Sequence, residues 1–182
     1  DRIGVDMKRY RSGTCKMCFL LKVSLLIVLC ILMSGCPQNY YERGKSLMDA
    51  GLTDQAIDEL LRALEKDPTN GDIYFRLGLL YLEKEEYRIA IGYFQKVINQ
   101  FPEQSILDAS YYYLGFCHYQ LREYRTAARN FSLLLSGFSE SQFGEQAHFY
   151  QGEAAWYVED FTKALSAYTE LFRRYPAGKY SL

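Results

Sequence analysis

Between residues 74 and 101 apolar side chains return every three or four positions. Tyr74, Leu77, Gly78 and Tyr81 follow i, i+3, i+4, i+7, and after the polar stretch 83–86 the same rule resumes with Ala90, Tyr93, Phe94, Val97, Ile98 and Phe101. A period near 3.6 predicts two helices, and the charged stretch between them predicts a turn. The segment therefore reads as an antiparallel helical hairpin.

The hairpin recurs. Gly44, Gly78, Gly115 and Gly152 are spaced by 34, 37 and 37 residues, and three further columns keep that spacing: Ala56, Ala90, Ala127 and Ala164; Leu60, Phe94, Phe131 and Tyr168; Pro68, Pro102, Ser139 and Pro176. Three of the four prolines fall in one column, which marks a common helix stop. Glycine inside a helix costs about 1 kcal/mol relative to alanine, so its recurrence needs a packing reason. Small residues where two helix axes approach, with a large ring filling the adjoining gap, supply it.

A helical pair of this length, with Tyr74, Leu77, Gly78, Tyr81, Ala90, Phe94 and Pro102 in the signature places, resembles the tetratricopeptide repeat (TPR). The resemblance implies an all-α, right-handed superhelical solenoid of about four units, at about 37–70, 71–104, 108–141 and 145–178, within a domain at 40–182. The first unit has Arg43 in a leucine column, the third has His118 and Ser139 in tyrosine and proline columns, and the fourth has Gln151 and Ala155 in two apolar columns. The three extra residues of the later intervals lie in the turns between units. That longer spacing resembles the repeats of periplasmic proteins such as BamD-like outer-membrane assembly lipoproteins and the periplasmic partner of the Tol-Pal system. A stack of this kind normally closes on a helix with a polar outer face, and none follows Pro176. The expectation is that the chain is truncated or continues into further repeats.

Ahead of the repeats the composition changes. Residues 1–35 carry six Lys/Arg against two Asp, net +4, while the rest carries 15 basic and 20 acidic groups, net −5. An acidic body argues against sequence-independent nucleic-acid binding. The apolar run from Val23 to Met33 has 11 residues, the length of a signal-peptide core, whereas a spanning helix needs about 20. Small residues Ser34 and Gly35 then precede Cys36, and the stretch resembles the lipobox of bacterial lipoproteins, with Met33 where leucine is usual. The resemblance implies a signal peptide at 1–35, diacylglycerol on Cys36, a linker at 36–39, and residues 1–6 as an artefact of the fragment's start. It also implies an envelope location on a membrane, with the outer membrane facing the periplasm as the default because Pro37 is not aspartate. A signal-anchor helix is the alternative. Cys15, Cys18 and Cys30 fall in the leader, and Cys117 reads as a small buried hydrophobe, with a Cys36–Cys117 disulfide as the rival reading.

Nothing in the pattern calls for catalysis, a cofactor, a metal or a small-molecule substrate. "GKS" at 44–46 lacks the earlier glycine of a phosphate loop, and Glu83, Glu85 and Glu86 form a solvated turn. What remains is a surface. In the repeat family the first helix of each pair lines the concave face, and carried over by column the groove here would include Tyr41, Phe75, Leu79, Tyr112, Phe116, Tyr119, Phe149, Trp156 and Tyr157, with Lys45, Met48, Leu82 and Glu153. Such a groove suits proteins or extended peptides with apolar or aromatic side chains. For any one of these rings, intra-repeat core is the alternative. The resemblances together imply a lipid-anchored TPR scaffold in envelope biogenesis, BamD-like in β-barrel assembly; an adaptor in polysaccharide export, pilus assembly or Tol-Pal linked division is the alternative, and an enzyme subunit would need a catalytic domain beyond Leu182.

Overall fold

The computed structural model describes residues 37–102 and 105–180. The leader and Cys36 lie outside the described residues. Eight helices and no strand occur among those described: α1 (Pro37–Asp49), α2 (Thr53–Lys66), α3 (Gly71–Glu83), α4 (Tyr87–Gln100), α5 (Leu107–Gln120), α6 (Tyr124–Gly137), α7 (Gly144–Tyr157) and α8 (Phe161–Arg174). Each helix packs chiefly on its neighbours in sequence, and α5 also touches α7, so the first helices of adjacent pairs lie side by side. The result is a superhelical solenoid.

Every pair is held by the same approach. A Cβ placed on Gly78 would sit 2.7 Å from Phe94 Cε1, on Gly115 2.8 Å from Phe131 Cε1, on Gly152 2.6 Å from Tyr168 Cε1, and on Gly44 2.7 Å from Leu60. Real Cβ atoms do not come so close, so only glycine lets the second helix lie against the first. Phe94 and Phe131 are wholly buried in the gap, each a gain of roughly 2–3 kcal/mol. Between pairs the core is aliphatic: Ile73, Leu77 and Leu80 of α3 pack on Ala56, Ile57, Leu60 and Ala63 of α2.

The turns inside the pairs also repeat. Gly51, Glu85, Arg122 and Glu159 all have φ between 60° and 71°. After each, an N–H reaches back five residues, Leu52 to Leu47, Glu86 to Tyr81, Glu123 to His118 and Asp160 to Ala155, at 2.8–2.9 Å. This is a Schellman closure, and it satisfies carbonyls that a helix end would otherwise leave open. Glycine, the residue suited to the left-handed position, occupies it only in the first pair.

The extra residues of the 37-residue intervals have a structural use. Whereas α3 has 13 residues, α5 and α7 have 14, and each starts one position earlier relative to its glycine, after a longer turn. The lengthened turn brings Phe143 over α5, its ring stacked 4.7 Å from that of Tyr112. Tyr180, 37 residues later, lies 4.7 Å from Phe149, with the two rings tilted by 33°.

Candidate functional site

The first helices present the residues that the groove expectation singles out, and they do so in two chemically different halves. At the N-terminal half Tyr41 on α1 donates to Asp72 on α3, Arg76 Nε lies 2.6 Å from Asp72 and 3.3 Å from the Tyr41 hydroxyl, and both Arg76 and Lys45 stand over the Tyr41 ring at 5.7 and 5.2 Å. Burial together with the Asp72 carboxylate pushes the Tyr41 hydroxyl above its ordinary pKa. The carboxylate likewise keeps the Arg76 guanidinium charged against its partial burial. The network ties the first two pairs together by charge-assisted hydrogen bonds.

From Phe75 onward rings replace charges. Phe75 meets Tyr113 at 6.0 Å, Phe116 meets Tyr150 at 5.4 Å, and Tyr119 meets Tyr150 and Tyr124 at 5.2 and 5.5 Å. Tyr124 and Tyr157 stack at 4.5 Å. Most contacts are edge-to-face or offset, the arrangements that aromatic quadrupoles favour. Burial raises the pKa of the Tyr112, Tyr113, Tyr119 and Tyr150 hydroxyls, Tyr112 and Tyr119 most, so these hydroxyls stay neutral at physiological pH.

The nine groove residues therefore do not share one environment. Tyr41, Phe75, Leu79, Tyr112, Phe116, Tyr119 and Phe149 are half-buried in the seams between pairs, whereas Trp156 and Tyr157 stand open at the end of α7, 58% and 54% exposed. The structure adds Tyr113, Phe143, Tyr150 and Tyr180, which cover those half-buried rings. Their signal was the 37-residue spacing of Phe143 and Tyr180 and the adjacent-ring pairs Tyr112-Tyr113 and Phe149-Tyr150.

The remaining titratable groups belong to the packing. His118 Nδ1 pairs with Glu123 at 2.6 Å next to a left-handed turn. His148 is buried with its Nδ1 unpartnered, and burial, then Arg174, hold its pKa below the ordinary value. Cys117 is a free, fully buried thiol, pushed up to about 12 by burial, which leaves it without nucleophilic thiolate at neutral pH. Among the described residues no three His, Cys, Asp or Glu side chains converge on a metal-sized site, and no helix is long and apolar enough to cross a membrane.

The sequence profile of the tetratricopeptide repeat matches residues 41–105, most of the first two pairs. The chain folds as a tetratricopeptide-repeat solenoid. Solved structures extend the match over the later pairs. A MamA protein is 22% identical with a TM-score of 0.69, over 80% of this chain and 76% of that one. MamA from Desulfovibrio magneticus RS-1 is 17% identical, also at 0.69, over 80% and 78%. YrrB, described as a TPR protein with an unusual peptide-binding site, is 20% identical at 0.69, over 81% and 73%. No curated protein sequence matches the chain.

Proposed function

We propose that this protein is a lipid-anchored TPR scaffold that holds protein partners in the bacterial envelope during its biogenesis, in the manner of a BamD-like factor of outer-membrane β-barrel assembly. The observation that carries the scaffold reading is the ring-lined first-helix face running from Phe75 to Trp156. A rigid, aromatic, amphipathic surface gains large contact area at little entropic cost, which suits an extended peptide with apolar or aromatic side chains. YrrB, similar in fold, is described as having an unusual peptide-binding site, which supports peptide binding by a fold of this kind. The leader and Cys36 support the anchor, and the 37-residue pitch supports the envelope setting. Acyl chains on Cys36 would confine the repeat domain to a membrane surface, since two or more chains hold a protein there for long times.

Two measurements test these parts separately. A photo-crosslinking side chain at Phe116 or Tyr157, in cells of a Gram-negative host, is expected to give discrete protein adducts, whereas the same group at Leu133 on the opposite surface gives none. Equal labelling at both faces would overturn the groove. Intact mass and membrane fractionation of wild type beside Cys36→Ser tests the anchor: an acylated chain starting at Cys36, released to the soluble fraction by the substitution, is the expected result. An uncleaved wild-type chain with no acyl mass would refute it.

A further inference from the structure

The charges of the solenoid are sorted between its helices. Helices α4 and α6 carry Arg88, Lys96, Arg125 and Arg129 and no acidic residue, in a body of net −5. Helix α2 has four acidic residues against two basic, and α3, α5 and α7 together have five against one. Both basic helices are interior members of the stack, with described pairs on either side. All four basic side chains are exposed. Arg88 approaches Glu123 at 3.9 Å, and Glu123 also holds His118. Lys96, which stands over the Tyr74 ring at 5.1 Å, makes no ion pair with a described residue, and neither do Arg125 and Arg129. Each helix also exposes one aliphatic side chain among these cations, Ile89 at 44% and Leu133 at 42%. Arg125, Arg129 and Leu133, four residues apart, form one strip along α6.

Between α4 and α6, with Leu114 and His118 of α5 as its floor, runs a polar groove of about 410 Å³. Repeat equivalence explains the space. In the second pair this place is filled by the rings of Tyr81 and Tyr93, stacked at 5.5 Å, whereas the same columns of the third pair hold the smaller His118 and Asn130. Both are buried, and each is already tied within the fold, His118 to Glu123 and Asn130 to the Thr126 carbonyl. The groove rim is different. Gln95 and Asn99 from α4 and the Arg129 guanidinium from α6 border the groove with no side-chain hydrogen-bond partner among the described residues. Two amides and a guanidinium are donors suited to phosphate oxygens.

We propose that the wall made by α4 and α6 lies on an anionic bilayer, with Lys96, Arg125 and Arg129 among the phosphates of anionic phospholipid headgroups and one headgroup seated in the groove. The mixture of cations with Ile89 and Leu133 favours a membrane over an acidic protein, because a headgroup layer takes the charges and its acyl boundary takes the aliphatic side chains. A basic residue near such a surface is worth roughly fivefold in affinity, so the three unpaired cations together give roughly a hundredfold. That is weak for a free domain and ample for a tethered one. The proposal rests on the anchor reading for the tether, which keeps the wall beside a bilayer at high effective concentration. The acidic first helices, with their ring-lined face, then look away from the membrane and stay open to partners.

The test uses the full chain in vesicles of phosphatidylcholine alone or with phosphatidylglycerol, carrying a benzophenone side chain at Leu133 or, separately, at Tyr157. Lipid adducts at Leu133 are expected to be at least tenfold more abundant with phosphatidylglycerol, and absent at Tyr157. They are expected to disappear in about 1 M salt, where charges are screened within about 3 Å, and in Arg125→Glu/Arg129→Glu, whose fold is checked by circular dichroism. Flotation of the same vesicles reads the tether on its own. Chain held only by phosphatidylglycerol vesicles, with adducts at Leu133, would count against the tether and support the wall. Chain that floats with both vesicles but gives no excess of adducts with phosphatidylglycerol would overturn the wall and leave the tether standing; chain that floats with neither would overturn both. Equal adducts at Leu133 and Tyr157, or adducts indifferent to the double substitution, would also overturn the wall, and so would discrete protein adducts at Leu133 in cells, which would assign it to an acidic protein.

Discussion

The close approach of the paired helices makes a signed prediction: the same substitution, Gly→Ala, has opposite effects at two positions of one pair. At Gly78 the added methyl would lie 2.7, 2.9 and 3.0 Å from Cε1, Cζ and Cδ1 of Phe94. That ring cannot retreat, because it is wholly buried and backed by Tyr113 at 5.7 Å and Phe75 at 5.9 Å. Overpacking of this sort costs about 1–3 kcal/mol, offset by the roughly 1 kcal/mol that alanine gains in a helix, for a net loss of up to about 2 kcal/mol. Gly92 lies within α4, is exposed, and has nothing within 4 Å of where the alanine methyl would sit, so alanine there keeps the whole gain of about 1 kcal/mol. The two variants should therefore differ by the overpacking cost alone, about 1–3 kcal/mol, with Gly78→Ala lowering and Gly92→Ala raising the urea midpoint followed by far-UV circular dichroism. In thermal melts each kcal/mol corresponds to about 2–4 °C for a chain of this size. Midpoints that move in the same direction would refute the argument that the glycine column exists for interhelical approach.

The left-handed turn residues give a second test: Glu85→Gly, Arg122→Gly and Glu159→Gly should each stabilise by about 0.5–1 kcal/mol, and Gly51→Ala should cost about 1 kcal/mol, read from the same urea midpoints. A stabilising Gly51→Ala would contradict the φ of 71° at that site. His148 gives a pH dependence. Its folded pKa is depressed by burial, then by Arg174 and Arg173, with Glu170 opposing, so as pH falls the unfolded chain takes up the proton first. The stability it contributes is complete above about pH 6.5 and is lost as the pH falls from there towards the folded pKa. His148→Tyr, which restores the column residue of Tyr40, Tyr74 and Tyr111, should flatten the urea midpoint between pH 8 and 5; an unchanged slope would assign the acid sensitivity elsewhere.

The paired helices could be read from sequence because their columns obey one packing rule. A glycine facing a large ring has no other use in a helix interior, so Gly78 and Phe94 announce both the hairpin and its closest contact. Other features obey rules that composition does not mark. Glu85, Arg122 and Glu159 adopt a left-handed conformation that glycine signals and Glu or Arg do not, and only the equivalence with Gly51 exposes it. The groove residues are the harder case. A ring at one place in the 3.6-residue period can either line a groove or fill the seam beside the next pair, and the choice depends on what that next pair supplies. Tyr112 is half-buried because Phe143 arrives over it from the longer turn; Trp156 is open because nothing among the described residues does the same.

One column shows how the change of pitch alters the chemistry of the face. Arg76, Tyr113 and Tyr150 occupy the same place in successive first helices, and each reaches back to the pair before it. Across the 34-residue interval the contact is Arg76 over Tyr41, with Asp72 neutralising the charge, a junction that needs water nearby for the exposed parts of its ions. Across the 37-residue intervals the contacts are Tyr113 on Phe75 and Tyr150 on Phe116 and Tyr119, and the inserted turn lays Phe143 on Tyr112. Aromatic packing of that density excludes water and fixes side-chain rotamers, so the C-terminal half of the face is ordered before anything binds, and a partner loses less entropy there than on flexible side chains. On the proposed groove reading, a charge-balanced ionic half and an aromatic half on one face would give a bound segment a direction: its polar groups would meet the Lys45–Glu42 and Arg76–Asp72 pairs, and its apolar side chains the rings beyond Phe75.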